Sequence, residues 1–193
     1  MKKIICGVLF AVMLVFSGCK GMNETINLKD CEYSFDSVSD VSISGVDVSN
    51  GVTPALIPVV LAVLNGDAST IPLNFTVNVG VKNPNSDAAS FYSMLYRIYI
   101  DGVLITDDEI TEPFRVEAGQ SKTLSVPIGV DIMDLIEENT RPVVENMIKN
   151  FLGIGDTPDS KITIEVKPSF KVLDITFSAP DYISIDFMYT GNK

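Results

Sequence analysis

The most regular pattern in the chain is an alternation of apolar and polar positions between residues 73 and 82. This period of two predicts a strand with one buried and one exposed face, and its apolar positions are Leu73, Phe75, Val77, Val79 and Val81. The turn motif Asn83-Pro84-Asn85 ends the strand, because proline cannot donate a ladder hydrogen bond and asparagine side chains bond to nearby backbone. Residues 92–100 resume an extended pattern. We expect residues 73–100 to form the central hairpin of a β-sandwich.

Further extended segments lie on both sides of this pair. Asp101-Gly102 separates two apolar stretches and is a strong signal for a two-residue hairpin turn. Pro127 places its strand at a sheet edge or close to the strand end. The other predicted strands are residues 33–48, which form one or two strands bent at Gly45, and residues 112–116, 123–128, 162–166, 172–177 and 182–189. The sequence therefore predicts a mainly β domain.

Two segments depart from the period of two. Residues 131–152 carry apolar side chains at three- and four-residue spacing, which predicts a helical region. Pro142 splits or kinks this region, Thr140 is a candidate N-cap for its second part, and Gly153 ends it. Residues 54–64 form an apolar run that is too short to span a bilayer, and we expect one short helix there.

The N-terminus resembles the signal sequence of a bacterial lipoprotein. Two lysines precede an apolar run from Ile4 to Phe16, and Ser17-Gly18 leads into Cys19, as in a secretory signal peptide. The resemblance to a lipobox implies cleavage before Cys19 and acylation of that cysteine. An ordinary signal peptide with an incidental cysteine is the alternative.

Acylation of Cys19 would hold the mature chain on a membrane without spanning it, because each buried methylene group contributes about 0.8 kcal/mol. Lys20 follows the cysteine, so the aspartate that retains lipoproteins in the inner membrane of enterobacteria is absent. We expect a cell-envelope protein that is anchored in the outer membrane and faces the periplasm. Its expected organisation is a signal peptide over residues 1–18, the acylated cysteine with a tether over 19–32, and one domain over 33–193.

The composition argues against several classes of function. The chain has 25 acidic and 14 basic residues, for a net charge of −11, and this excess repels nucleic acids. It has no histidine, which is the usual base of hydrolytic triads and the most common transition-metal ligand. If Cys6 is removed and Cys19 acylated, Cys31 has no intramolecular partner for a disulfide. Cys31 is then a small buried residue, a reactive thiol or half of an intermolecular bridge.

The order of motifs between Tyr33 and Ile128, and more weakly to the C-terminus, resembles the late-embryogenesis-abundant type 2 family, also called the water-stress and hypersensitive-response domain. The motifs are Asn83-Pro84-Asn85, a Tyr-rich strand, Ile100-Asp101-Gly102, Val116-Glu117-Ala118-Gly119-Gln120 and Val126-Pro127. The resemblance implies a fibronectin type III or immunoglobulin-like β-sandwich without catalytic residues, with a role in stress protection, binding or envelope structure. The apolar segment 54–64 and the helical region 131–152 depart from a minimal domain of that kind.

Two functions fit these patterns. The first is a non-catalytic, lipid-anchored envelope module that binds or stabilises a protein or a surface. The alternative is a periplasmic carrier of a lipid or another apolar small molecule, because the apolar helices could enclose a ligand at one end of the sandwich. The candidate lining residues are Leu56, Leu61, Met147 and Phe151, which could equally complete the domain's own core. No cofactor or metal site is expected.

Overall fold

The computed structural model describes residues 24–25, 27–49, 58, 69–172 and 174–190. In this part of the chain, two antiparallel sheets enclose one apolar core. Helices α1 (Ile132–Glu138) and α2 (Arg141–Leu152) lie between the eighth and ninth strands. The strands are β1 (Glu32–Ile43), β2 (Val46–Asp47), β3 (Pro72–Lys82), β4 (Ala89–Phe91), β5 (Ser93–Ile100), β6 (Val103–Ile110), β7 (Phe114–Val116), β8 (Ser121–Asp131), β9 (Ser160–Val172), β10 (Ile175–Ser178) and β11 (Ile183–Tyr189). The predicted mainly β sandwich is confirmed.

The first sheet has the strand order β2-β1-β3-β8. The strand β3 lies inside it and pairs with β1 on one side and with β8 along its full length on the other. Its alternate side chains from Leu73 to Val81 are at most 3% exposed, which confirms the predicted buried face. Pro127 lies in β8, which is an edge strand of this sheet, as its lack of an N–H group indicated.

The second sheet has the order β10-β9-β5-β6, and β11 also pairs with β9. The strands β5 and β6 are joined by Asp101-Gly102. Both turn residues have positive φ angles, 50° for Asp101 and 83° for Gly102, as a tight two-residue hairpin turn requires. This predicted hairpin is confirmed.

The predicted central hairpin is wrong, because β3 and β5 lie in different sheets. The chain between them contains β4, which pairs with β7 in a separate two-stranded ladder. Residues 83–92 therefore carry the chain from one sheet to the other. The hydrophobic pattern could not distinguish the two arrangements, because strands that face one core from opposite sheets alternate in the same way as neighbours in a single sheet.

The two helices cover one end of the sandwich. The predicted break at Pro142 is confirmed, since α1 ends at Glu138 and α2 begins at Arg141. Thr140 occupies the N-cap position of α2 without a side-chain cap hydrogen bond, and Gly153 ends the helix with a left-handed φ of 64°. We call this end of the molecule the helical end. The opposite end, where β3 finishes and β8 starts, is called the Asn83 end.

Three other predicted segments differ from the structure or lie outside it. The closing strand predicted over residues 172–177 is divided, because β9 ends at Val172 and β10 begins at Ile175. The tether predicted over residues 19–32 is described from Glu24 onward, and there it lies against the domain, with Leu28 only 4% exposed. The helix predicted over residues 54–64 lies outside the described residues except for Pro58.

Candidate functional site at the Asn83 end

Asn83 is completely buried where β3 leaves the first sheet. Its side-chain amide donates to the carbonyl oxygens of Asp87, at 2.9 Å, and Val116, at 3.1 Å. Its Oδ1 accepts from the backbone N–H of Asn85 at 3.1 Å and from the Asn85 side-chain amide at 2.8 Å. Pro84, between the two asparagines, is exposed. The turn motif therefore connects the end of β3 to the end of β7.

The same motif also holds the segment that leads into β1. The Asn85 side-chain amide donates to the Asn27 carbonyl oxygen at 3.0 Å, and the Asn27 amide donates to the Ala88 carbonyl oxygen at 3.1 Å. The Cys31 sulfur lies 3.9 Å from Asn83 Oδ1. Because these partners are about 60 residues apart in sequence, the contacts fix the N-terminal segment on the body of the domain.

A charged contact extends this attachment to Glu24. The carboxylate of Glu24, a residue that is only 8% exposed, accepts from Arg115 Nη1 at 2.6 Å and from the Ser90 hydroxyl at 2.8 Å. Hydrogen bonds from Arg115 to Glu117 and to Glu24 raise the pKa of the guanidinium above its ordinary value. The Thr25 hydroxyl donates to the Ser90 carbonyl oxygen at 3.1 Å. The chain is thus attached to β4 and β7 from its first described residue.

Cys31 is a free, buried cysteine within this attachment. Burial, and to a lesser extent the carboxylate of Asp30, raises the pKa of the Cys31 thiol. A thiol with a raised pKa carries little of the reactive thiolate at neutral pH. The structure therefore favours the interpretation of Cys31 as a small packing residue over that of a reactive thiol.

Of the four residues proposed to line an apolar site, the structure describes two, and these lie one turn apart on the same helix. Met147 and Phe151, on α2, are each 1% exposed. The Phe151 ring lies 4.9 Å from that of Phe75 and 5.3 Å from that of Tyr189, measured between ring centroids, so it fills the core at the helical end. Leu56 and Leu61 lie outside the described residues.

An apolar space lies between the two sheets, nearer the Asn83 end. The volume that is accessible to a water-sized molecule is about 20 Å³. The space is lined by side chains such as Leu28, Val79, Met94 and Phe114. A single water needs at least about 10–15 Å³ measured in this way, whereas sites for small molecules have about 300–1,000 Å³. As described, this space is therefore too small for a lipid, and Leu28 of the attached N-terminal segment forms part of its wall.

Sequence reasoning missed an exposed aromatic surface next to this attachment. The Phe170 ring of β9 stacks on the Phe177 ring of β10, with centroids 5.3 Å apart and an angle of 15° between the planes. Tyr92, nearby, is 42% exposed. Tyr92 and Phe177 were apolar positions in predicted strands, where such positions are usually buried, and Phe170 lay between two predicted strands. The signal that could have found them is Asp174, a charged residue that interrupts the apolar run within residues 172–177.

The described residues show neither a metal centre nor a membrane span. No group of three or more acidic, cysteine or histidine residues in them is arranged to hold a metal ion. The helices in this part of the chain lack the length and apolar character that crossing a bilayer requires. The described residues at the Asn83 end offer hydrogen bonds, an ion pair between the buried Glu24 and the half-exposed Arg115, and aromatic rings at the surface.

A comparison with solved structures gives matches of low sequence identity. A protein from Archaeoglobus fulgidus has 15% identity and a TM-score of 0.38, with 81% of this chain and 97% of that chain covered. One from Arabidopsis thaliana has 16% identity and a TM-score of 0.45, with coverages of 82% and 80%. A third, described as a late embryogenesis abundant protein, has 16% identity and a TM-score of 0.34, with coverages of 94% and 84%. These TM-scores are too low for the matches to carry an argument about this chain.

The family assignment rests instead on the sequence. A search of curated proteins gives no match, but the LEA_2 family profile, described as late embryogenesis abundant protein, matches residues 78–181. The match includes Asn83-Pro84-Asn85 and both helices, so it begins later and extends further than the resemblance between Tyr33 and Ile128. It covers more than half of the chain. The chain therefore belongs to the LEA_2 family of late embryogenesis abundant proteins.

Proposed function

We propose that this LEA_2 protein is a non-catalytic module of the cell envelope that is anchored to the outer membrane through acylated Cys19 and stands on it with the Asn83 end. Proteins of this family are generally not enzymes, and the family is associated with stress. The observation that carries the proposal is the attachment of residues 24–31 to the domain. It connects the candidate acylation site to one particular end of the sandwich.

The length of chain before this attachment supports the orientation. Cys19 and Glu24 are five residues apart, and five extended residues reach at most about 18 Å. Glu24 is bound to Arg115 and Ser90 at the Asn83 end. An acyl group on Cys19 would therefore hold the Asn83 end close to the bilayer core. The headgroup layer and this short peptide would be all that separates the two.

The pattern before Cys19 supports the anchor itself. Two lysines, an apolar run and Ser17-Gly18 precede the cysteine, in the order found in lipoprotein signal sequences. With the Asn83 end at the membrane, the helical end points away from it and is accessible to other envelope proteins. We propose that the module binds or stabilises such a partner, or the membrane surface, from the periplasmic side.

The anchor is tested by expressing the full chain in a bacterial host with radioactive palmitate and separating membranes from soluble protein. The wild type should carry the label and sediment with membranes, whereas Cys19→Ser should lose both properties. Cys31→Ala is the matched control, since it removes a buried cysteine and should keep label and sedimentation. A Cys19→Ser protein that is labelled and sediments like the wild type would refute the anchor.

The carrier alternative has no specific observation in its favour among the described residues. The apolar space between the sheets has room for about one water, and the two described lining candidates, Met147 and Phe151, are part of the packed core. The carrier function therefore stays a prediction from the sequence.

A further inference from the structure

The hairpin formed by β9 and β10, together with Tyr92 just before β5, carries an apolar surface that we call the hairpin patch: the exposed Tyr92, Ile175 and Phe177 and the partly buried Phe170. Ile175 is 60% exposed and Phe177 is 45% exposed. Phe177 is paired with Phe170 across the hairpin, and Ile175 lies two residues before it on the same face. Three of the four residues of the hairpin patch therefore lie on one face of the same hairpin.

Folding of the domain does not account for the hairpin patch. All four residues of β10 are exposed, and within the described residues this strand pairs only with β9. Three other large apolar side chains that are exposed, those of Leu104, Val143 and Met188, belong to other elements. Single exposed apolar residues are normal on protein surfaces, whereas a contiguous group indicates a contact surface.

The position of the hairpin patch points to its occupant. The Tyr92 N–H donates to the Ser169 carbonyl oxygen at 2.7 Å, and a shallow groove is lined jointly by Thr25, Tyr92, Phe170 and Lys171. The hairpin patch therefore lies beside the first described residues of the chain. The covalent path from there to Cys19 is about 20 Å or less.

We propose that the hairpin patch inserts into the headgroup layer of the membrane that holds Cys19, as a second contact beside the acyl anchor. The inference rests on the anchor proposed above. Tyrosine and lysine favour this layer, since each has an apolar body and a polar end that reaches water. The phenylalanine and isoleucine side chains would supply the apolar area that inserts below it. Lys171 fits that pattern, because its Nζ lies 5.2 Å from the centroid of the Tyr92 ring.

The charge of the chain indicates which type of lipid surface the hairpin patch would contact. A net charge of −11 disfavours a strongly anionic surface, and the hairpin itself carries both Lys171 and Asp174. A zwitterionic surface such as phosphatidylethanolamine avoids this repulsion while still accepting aromatic rings.

The chain has no tryptophan, so one introduced at an exposed position reports on that position alone. Phe177→Trp places it on the hairpin patch, and Val143→Trp, at a residue that is 48% exposed on α2, is the matched control. Each full-length acylated variant is reconstituted into phosphatidylethanolamine and phosphatidylcholine vesicles whose acyl chains are brominated near the headgroup. Flotation of the vesicles and tryptophan emission are measured on the same samples.

The expected result is that both variants float with the vesicles, that the Phe177→Trp emission loses most of its intensity to bromine, and that Val143→Trp keeps its emission. Insertion of a ring by about 5–10 Å would place it next to the brominated carbons. A Phe177→Trp protein that floats but is not quenched overturns membrane insertion while leaving the anchor intact. Failure to float would instead contradict the anchor.

Two further outcomes identify other occupants and also overturn the proposal. An emission that is already blue-shifted when Phe177→Trp is combined with Cys19→Ser and measured in buffer without detergent or vesicles would mean that another part of this chain covers the hairpin patch. A tryptophan that is unquenched in brominated vesicles but shielded from iodide in native envelope membranes would mean that a protein partner occupies it. A third outcome, equal quenching in both variants, would also overturn the proposal, because the chain would then have no fixed orientation on the membrane.

Discussion

At the scale of single residues, Asn83 is the position on which most of the Asn83 end depends. Replacing it by alanine removes the donors to Asp87 and Val116 and the acceptor for Asn85. Each buried partner left unsatisfied costs about 1–3 kcal/mol. We expect Asn83→Ala to lower the free energy of unfolding by about 2–4 kcal/mol, which corresponds to a fall of roughly 5–15 °C in Tm. Calorimetry or circular dichroism measures this shift.

Asn78→Ala is the control for that experiment. The Asn78 side chain bonds to Ser37, Ser39 and Ser125 on the outer, partly exposed face of the first sheet. Water can replace these partners, so the expected loss is about 1 kcal/mol or less. If the two variants melt at the same temperature, the turn motif is not the structural centre of this end.

Cys31 gives a second prediction at the residue scale, which concerns pH. Its thiol pKa is raised by burial first and by Asp30 second, so the native protein carries less thiolate than the unfolded chain at any pH below the raised value. We expect alkylation of the mature protein at pH 8 to be roughly a hundredfold slower than in denaturant, because the thiol must be exposed by local opening. The alkylation rate of the native protein should continue to rise with pH after the alkylation rate of the unfolded chain has levelled off. Equal rates would show that the segment 24–31 is not held on the domain.

At the scale of elements, α2 tests whether the helical region completes the core or lines a ligand site. Phe151 is in contact with Phe75 of the first sheet and Tyr189 of the second. Truncating a buried phenylalanine costs about 3–5 kcal/mol, so Phe151→Ala should lower the denaturant midpoint strongly, whereas Val143→Ala should stay within about 0.5 kcal/mol. A Phe151→Ala protein that keeps its stability but loses a mass bound in native mass spectrometry would favour the carrier.

Local rules predicted most elements but not their partners. The alternation in β3, the turn Asp101-Gly102 and the helix break at Pro142 all depend on neighbours in sequence, and all three are confirmed. The placement of β3 and β5 in opposite sheets depends on long-range pairing. The period of two does not show which strands pair. The same limit applied to β10, which was predicted only as part of a strand over residues 172–177, whereas all four of its residues are exposed.

The candidate site was predicted only in part for the same reason. Asn83-Pro84-Asn85 was recognisable as a turn, because asparagine and proline act on their own backbone. Its bonds to Asn27 and its contact with Cys31 join positions more than 50 residues apart. Asp101 is similar, since its carboxylate also accepts from Lys161 and Asn150, and no local pattern shows these partners.

At the scale of the whole molecule, the acyl anchor and the hairpin patch should act as two linked contacts with one membrane. A short link between two contacts raises the effective concentration of the second one. Here the link is residues 19–23, after which the chain is fixed to the domain through Glu24. The hairpin patch is thereby kept close to the headgroups, and even a weak affinity of its own for lipid would be enough to keep it inserted.

This coupling predicts the effect of lengthening the link. Inserting about 20 Gly and Ser residues between Lys20 and Gly21 adds a flexible chain with an average span of roughly 25 Å. In the Phe177→Trp protein we expect flotation to be unchanged, since the acyl chains are untouched, and bromine quenching to fall, since the hairpin patch spends less time at the surface. The same insertion in Val143→Trp should change neither signal. If quenching persists with the long link, the hairpin patch binds lipid strongly by itself, and the short tether serves to set orientation instead of holding the patch in place.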